Sequence, residues 1–166
     1  MLRECAAVAI ASLCPACSLL LDFSDNAIPH DGSLDTPFSQ AECDYKEPNE
    51  SVTTPAMIAL TDTGPAAICP QTPEDHDFYK FTVTNETMLT IEVRYEMTPT
   101  GDLDLRLYHG DGTFIVGSTS ITGMERIVCP STIAPPCPTI TAGDYIFEVR
   151  PAVMGSVNRY TFSLAN

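Results

Sequence analysis

The sequence predicts an all-β fold: an antiparallel β-sandwich, jelly-roll-like, of seven to eight strands. Three observations lead there. Residues 101–108, Gly-Asp-Leu-Asp-Leu-Arg-Leu-Tyr, alternate with period two, placing Leu103, Leu105 and Leu107 on one face and Asp102, Asp104 and Arg106 on the other. Residues 142–149, Ala-Gly-Asp-Tyr-Ile-Phe-Glu-Val, repeat the pattern. Fourteen prolines and nine glycines divide the chain into short apolar runs, and no helical periodicity is sustained beyond residue 20.

The polar, turn-forming stretch 44–51 leads to the apolar run 56–60 and a turn at 61–65. A strand is expected at 78–83, with Tyr79, Phe81 and Val83 alternating against Phe78, Lys80 and Thr82. A second follows at 89–95, with Leu89, Ile91, Val93 and Tyr95 inward, and Asn85-Glu86 between them makes the two hairpin partners. Further strands are expected at 102–109, 113–119 and 124–129, then at 144–150 (Tyr145, Phe147 and Val149 inward) and 157–164 (Tyr160, Phe162 and Leu164 inward). Packed as two sheets, these alternate positions bury one another.

A chain of 166 residues, 44% hydrophobic and 18% charged, has room for one core of ordinary size. The formal charge of −14, from 22 acidic and 8 basic residues, repels a phosphate backbone, so nucleic acid is excluded as a partner.

The N-terminus reads as an export signal. Residues 1–17 place a short apolar run behind Arg3 and end in Leu-Cys-Pro-Ala-Cys. The run is too short to span a bilayer, which takes about 20 apolar residues. Its end resembles the lipobox of bacterial lipoproteins: Ala16 precedes Cys17, which would be the lipid acceptor, whereas Cys14 and Pro15 depart from the usual choices. The rivals are cleavage by ordinary signal peptidase and an uncleaved N-terminus. Ser18 after the acceptor implies, by resemblance to lipoprotein sorting, the outer membrane or cell surface. Residues 18–42 read as a flexible tether and 43–166 as the folded domain.

With Cys5, Cys14 and Cys17 assigned to the leader and anchor, Cys43, Cys69, Cys129 and Cys137 remain, an even number suited to an oxidising compartment. Four cysteines allow three pairings. Pairing 129 with 137 closes a small loop through Pro130, Pro135 and Pro136, and pairing 43 with 69 ties the start of the domain to a later turn. A zinc site is the weaker reading, because the four contain no Cys-x-x-Cys and no histidine stands at ligand spacing.

An ordered set of short motifs supports a family resemblance. Glu47-Pro48-Asn49-Glu50-Ser51, Asp75-His76-Asp77-Phe78-Tyr79-Lys80-Phe81, the 101–108 strand, Gly117-Ser118, Glu125-Arg126-Ile127, Ala142-Gly143-Asp144-Tyr145 and Tyr160-Thr161-Phe162 occur in that order. Together they resemble the bacterial pre-peptidase C-terminal domain family over about 43–164, a β-sandwich found beside secreted peptidases and in surface lipoproteins. Two departures stand out: Glu50 replaces the family's usual Asp or Asn, and 129–137 looks like a local insertion closed by a disulfide.

Calcium is the one cofactor with a basis in the residues. It takes six to eight hard oxygen ligands, and Glu47, Asn49, Glu50, Asp75 and Asp77 offer them. The resemblance implies ligands in these same two acidic segments. Asp102 and Asp104 form a second acidic pair, which a turn cap at Asp102 and a pairing of Asp104 with Arg94 or Arg106 would account for.

Catalysis finds little footing. The sequence holds no Gly-x-Ser-x-Gly elbow and no His-Glu-x-x-His, and His30, His76 and His109 fall in the tether, a turn and a strand end. Tryptophan is absent, which weakens stacking on sugars. The expected function is a non-catalytic, lipid-anchored binding module at the bacterial cell envelope, stiffened by calcium, with the membrane and an envelope protein or polysaccharide as partners. The alternative is an accessory domain or minimal hydrolase acting on peptides or glycans.

Overall fold

A computed structural model describes residues 38–43 and 45–166, and in them the chain passes back and forth between two sheets, with β5 and β6 alone consecutive in one sheet. After one helical turn, α1 (Gln40–Cys43), come β1 (Ala56–Met57), β2 (Ala66–Ile68), β3 (Asp77–Val83), β4 (Leu89–Tyr95), β5 (Leu103–His109), β6 (Phe114–Ser118), β7 (Met124–Cys129), β8 (Gly143–Pro151) and β9 (Asn158–Ala165). One sheet has the order β1-β3-β8-β5-β6 and the other β2-β9-β4-β7. The strand count reaches nine, against seven to eight expected, because β1 and β2 are edge strands of two and three residues. All pairings are antiparallel except β1 with β3, where Ala56 lies opposite Tyr79.

The inward residues are those that the alternation marks. Tyr79, Phe81, Leu103, Leu105, Leu107, Tyr145, Phe147 and Val149 face Leu89, Ile91, Val93, Ile127, Tyr160 and Phe162, and all are buried. Phe147 sits at the centre, its ring centroid 5.0 Å from that of Tyr79 and 5.4 Å from that of Phe162. The hairpin expected between 78–83 and 89–95 does not form. The chain crosses at 84–88 from one sheet to the other, so β3 pairs with β1 and β8, and β4 with β7 and β9. Two strands that each carry an apolar face gain more by opposing those faces than by lying side by side.

Gly101 opens the motif of β5 because nothing larger fits. A Cβ there would lie 2.4 Å from Thr98 Oγ1 and 2.8 Å from Asn158 Nδ2. That Asn158 amide donates to the carbonyls of Glu96 at 2.6 Å and Gly101 at 2.8 Å, locking the turn onto the start of β9.

Of the segments expected before the domain, the signal 1–17, the acceptor Cys17, and His30 and the rest of the tether to residue 37 lie outside the described residues. Residues 38–42 are seen. Arg159 donates to Glu42 at 2.6 Å and holds its carboxyl down to about 2, while the guanidinium lies 4.7 Å from the Phe38 ring centroid.

Both disulfides, Cys43–Cys69 and Cys129–Cys137, are formed. They span 26 and 8 residues, so on the chain-entropy account removing them costs roughly 3.5 and 2.5 kcal/mol respectively. We therefore expect the double replacement of Cys43 and Cys69 by serine to lower the denaturant midpoint more than that of Cys129 and Cys137. Equal midpoints would contradict this.

Candidate functional site: an acidic cluster at the start of β3

Two loop segments converge where β3 begins. The Cys43–Cys69 disulfide, with Cα atoms 5.8 Å apart, ties the chain just before 45–51 to the turn that leads into Asp75. The Phe78 amide donates to the Asn49 carbonyl at 2.9 Å, fixing the first segment against the strand. In this way Glu47, Asp75 and Asp77 each bring a carboxylate oxygen within 4.8 Å of the others.

Each carboxylate already has a partner. Glu47 accepts the Asn49 backbone N–H at 2.8 Å, and Asp75 accepts the Cys69 backbone N–H at 2.6 Å and the Gln71 side-chain amide at 2.9 Å. Asp77 accepts a short hydrogen bond from the Tyr160 hydroxyl, which lies 2.8 Å from the hydroxyl of Tyr79. Both tyrosines belong to the core, so the alternation marks them as inward but says nothing of what their hydroxyls meet.

Burial dominates the electrostatics. It pushes Glu47 up to about 7, with the nearby charges of Glu50 and Asp75 adding to the rise. It raises Asp75, although the Cys69 amide works against it, and raises Asp77 well above the carboxylate range. Three acids are thus held close together where a proton or a cation must offset their charge.

Asn49 is the informative neighbour. It is fully buried, and neither atom of its side-chain amide makes a hydrogen bond of proper geometry with the described residues. It nevertheless lies near enough to Asp77 to ease that carboxylate downward. An orphaned amide of this kind costs about 1–3 kcal/mol unless something binds it. Glu50 is exposed at the rim and acts on Glu47 and Asp75 through its charge. Of the five residues read from the sequence, three form the cluster, Asn49 is buried beside it and Glu50 borders it.

These donors fit calcium. Carboxylate oxygens with an unsatisfied amide oxygen are the hard ligands it takes, and a divalent charge would offset what burial makes costly. Removing the Tyr160 hydroxyl leaves Asp77 without its buried donor, so Tyr160→Phe is expected to cost about 1–3 kcal/mol in denaturant unfolding. A loss below about 0.5 kcal/mol would mean that Asp77 does not depend on that bond.

The other residues singled out in the sequence lie elsewhere. Asp102 accepts the Tyr95 hydroxyl at 2.9 Å. Asp104 faces Arg150 across β8, not Arg94, which instead donates to Glu92 at 2.6 Å in the other sheet. His76 places Nδ1 2.8 Å from the buried carboxylate of Glu148, which also accepts Tyr108 at 2.5 Å. Burial works against Glu148, yet these bonds hold its carboxyl below the ordinary value, and Glu148 in turn raises His76. Ser118, of the Gly117-Ser118 motif, accepts the backbone N–H of Arg126.

Solved structures offer a comparison for this arrangement. The chain is similar to the pre-peptidase C-terminal domain of a collagenase from Bacillus anthracis, at 15% identity and a TM-score of 0.52, over 66% of this chain and 92% of that one. The fold is that of a pre-peptidase C-terminal domain. It is also similar to PliG of Aeromonas hydrophila, a periplasmic inhibitor of g-type lysozyme, at 10% identity and a TM-score of 0.40. The match covers 66% of this chain and 94% of that protein. No protein-family model matches the sequence, and no curated protein does.

Proposed function

We propose that this chain is an exported, lipid-anchored, non-catalytic binding module of the bacterial cell envelope whose domain is stiffened by calcium. The observation that carries the calcium reading is the trio Glu47, Asp75 and Asp77 set beside the orphaned, buried amide of Asn49. Glu47, Asp75, Asp77 and the Asn49 oxygen would hold the ion, with Glu50 bringing further charge at the rim. Calcium would supply cross-linking, joining the 45–51 loop to the start of β3 and offsetting buried charge.

Support for export comes from the two disulfides, which persist in oxidising compartments. Support for a non-catalytic role comes from the fold shared with the pre-peptidase C-terminal domain of the collagenase. Anchoring rests on Cys17 and its preceding Ala16.

The stiffening is tested by thermal melts of the oxidised full chain in calcium and in chelator. A ligand that binds only the folded state stabilises it by about 2.7 kcal/mol at a hundredfold excess over its Kd. Superimposable melts would refute it. Anchoring is checked separately, by labelling cells with radioactive palmitate: the label is expected on the wild-type chain and absent from Cys17→Ala. Label retained in that variant would place the lipid elsewhere.

A further inference from the structure

Away from the acidic cluster, edge strand β7 faces a groove of about 330 Å³, lined by Val116 and Ser118 of β6 and by Ile133 and Pro135 of the disulfide-closed loop, none of them a residue of that cluster. The strand is open to pairing at Val128, beyond two residues whose outward main-chain groups are already bonded. The Arg126 amide donates to Ser118 Oγ at 3.2 Å, and the Met124 carbonyl accepts Ser120 Oγ at 2.7 Å, so both residues turn main-chain groups away from β4. The Gly123 carbonyl accepts the Tyr95 amide at 3.0 Å, as the alternate phase of the ladder requires. Two residues on, Val128 has the phase of Arg126. Its N–H and C=O point into the groove, and among the described residues they have no hydrogen-bond partner.

The groove's chemistry selects an occupant. Ile133 is 79% exposed and, with Val116, Ala134 and Pro135, gives the groove an apolar lining. Its charged lining residue is Arg126, which lies 3.9 Å from the carboxylate of Glu92, and among the described residues no acid lines the groove, in a chain whose net charge is −14. A second copy pairing β7 with β7 about a two-fold axis would bring another Arg126 beside the first and set two acidic surfaces together. An extended segment of a different protein, apolar at alternate positions and acidic opposite Arg126, matches both the charge and the pattern.

We propose that β7 docks such a segment by strand addition, with main-chain hydrogen bonds to Val128 supplying affinity and the 129–137 loop gripping alternate side chains. This rests on reading the chain as a binding module and names the kind of partner it takes. It also gives a role to 129–137, the insertion by which the sequence departs from the family it resembles.

The test uses amide hydrogen exchange of the oxidised full chain with three acetylated heptapeptides of alternating threonine and valine, carrying Glu, Gln or Lys at the centre. The Glu peptide is expected to protect the Val128 amide and to bind about tenfold more tightly than the Lys peptide. Arg126→Glu, a change on the surface, is expected to reverse that order. A Glu peptide N-methylated at alternate amides is expected to lose binding. Three results would overturn the proposal: no protection of Val128 by any peptide at millimolar concentration, binding indifferent to N-methylation, or protection that grows with protein concentration alone, which would make a second copy the occupant. The readout is independent of calcium, so a failed calcium melt with Val128 protected leaves the docking edge standing, and the converse result removes only the edge.

Discussion

In calcium-free buffer the chain is expected to lose stability as the pH rises from 5 to 8, and calcium is expected to reverse most of that loss. Glu47 is raised to about 7, and Asp75 and Asp77 are raised as well, with burial the leading cause for all three. A carboxyl whose folded-state pKa exceeds its unfolded value holds its proton more tightly in the fold. The stability it lends is present in acid and disappears as the pH climbs through the folded value. For Glu47 that window runs from the ordinary carboxylate range to about 7. His76, also raised, contributes in the same direction, since its charged form pairs with Glu148. Calcium acts on the trio alone, because it binds the ionised carboxylates and so binds more tightly as the pH rises. The expected result is a melting temperature that falls by at least about 4 °C between pH 5 and 8 in chelator, the shift that about 1 kcal/mol produces in a domain of this size. In saturating calcium the fall shrinks to the part due to His76. A melting temperature that rises with pH in chelator would contradict the assignment of raised carboxyls.

The second large effect lies in the core. Phe147 of β8 is fully buried between the sheets and touches the rings of Tyr79, Phe81 and Phe162. Phe147→Ala removes those contacts and leaves a cavity that neighbours on two strands cannot fill without leaving their register, so about 3–5 kcal/mol is expected to be lost. Because Tyr79 also approaches Tyr160, and Tyr160 donates to Asp77, the loss is expected to loosen the acidic cluster and weaken calcium binding. Denaturant unfolding with and without calcium measures both. A cost below about 1.5 kcal/mol would mean that the two sheets do not close over this ring.

Much of this architecture is legible in the residues. Alternation identifies the inward side chains of β3, β4, β5, β8 and β9, because a half-buried strand must alternate apolar and polar positions. Periodicity reports which face is buried, not which strand lies beside which, and for that reason 78–83 and 89–95 read as a hairpin although they lie in different sheets. The parallel edge strand β1 has only two residues, too few to show any period. In the site, Glu47, Asp75 and Asp77 are visible as acids in two turn segments. What burial does to them is not, because it depends on the disulfide and on the amide of Phe78. Tyr160 and Tyr79 read as core aromatics, and only their position in space brings one hydroxyl to Asp77. The pair His76 and Glu148 is likewise silent, being 72 residues apart in the chain.

The central claim, that Glu47, Asp75 and Asp77 bind a divalent cation, is most directly tested by calorimetric titration of calcium into the oxidised full chain at pH 7.5. Glu47→Gln and Asp75→Asn serve as controls that keep shape and remove charge. The expected result is one saturable site in the wild type, weakened at least tenfold in each variant while the variants still unfold cooperatively. No heat of binding in the wild type, or binding unchanged in both variants, would contradict it and leave the trio as carboxyls that hold protons in place of a metal.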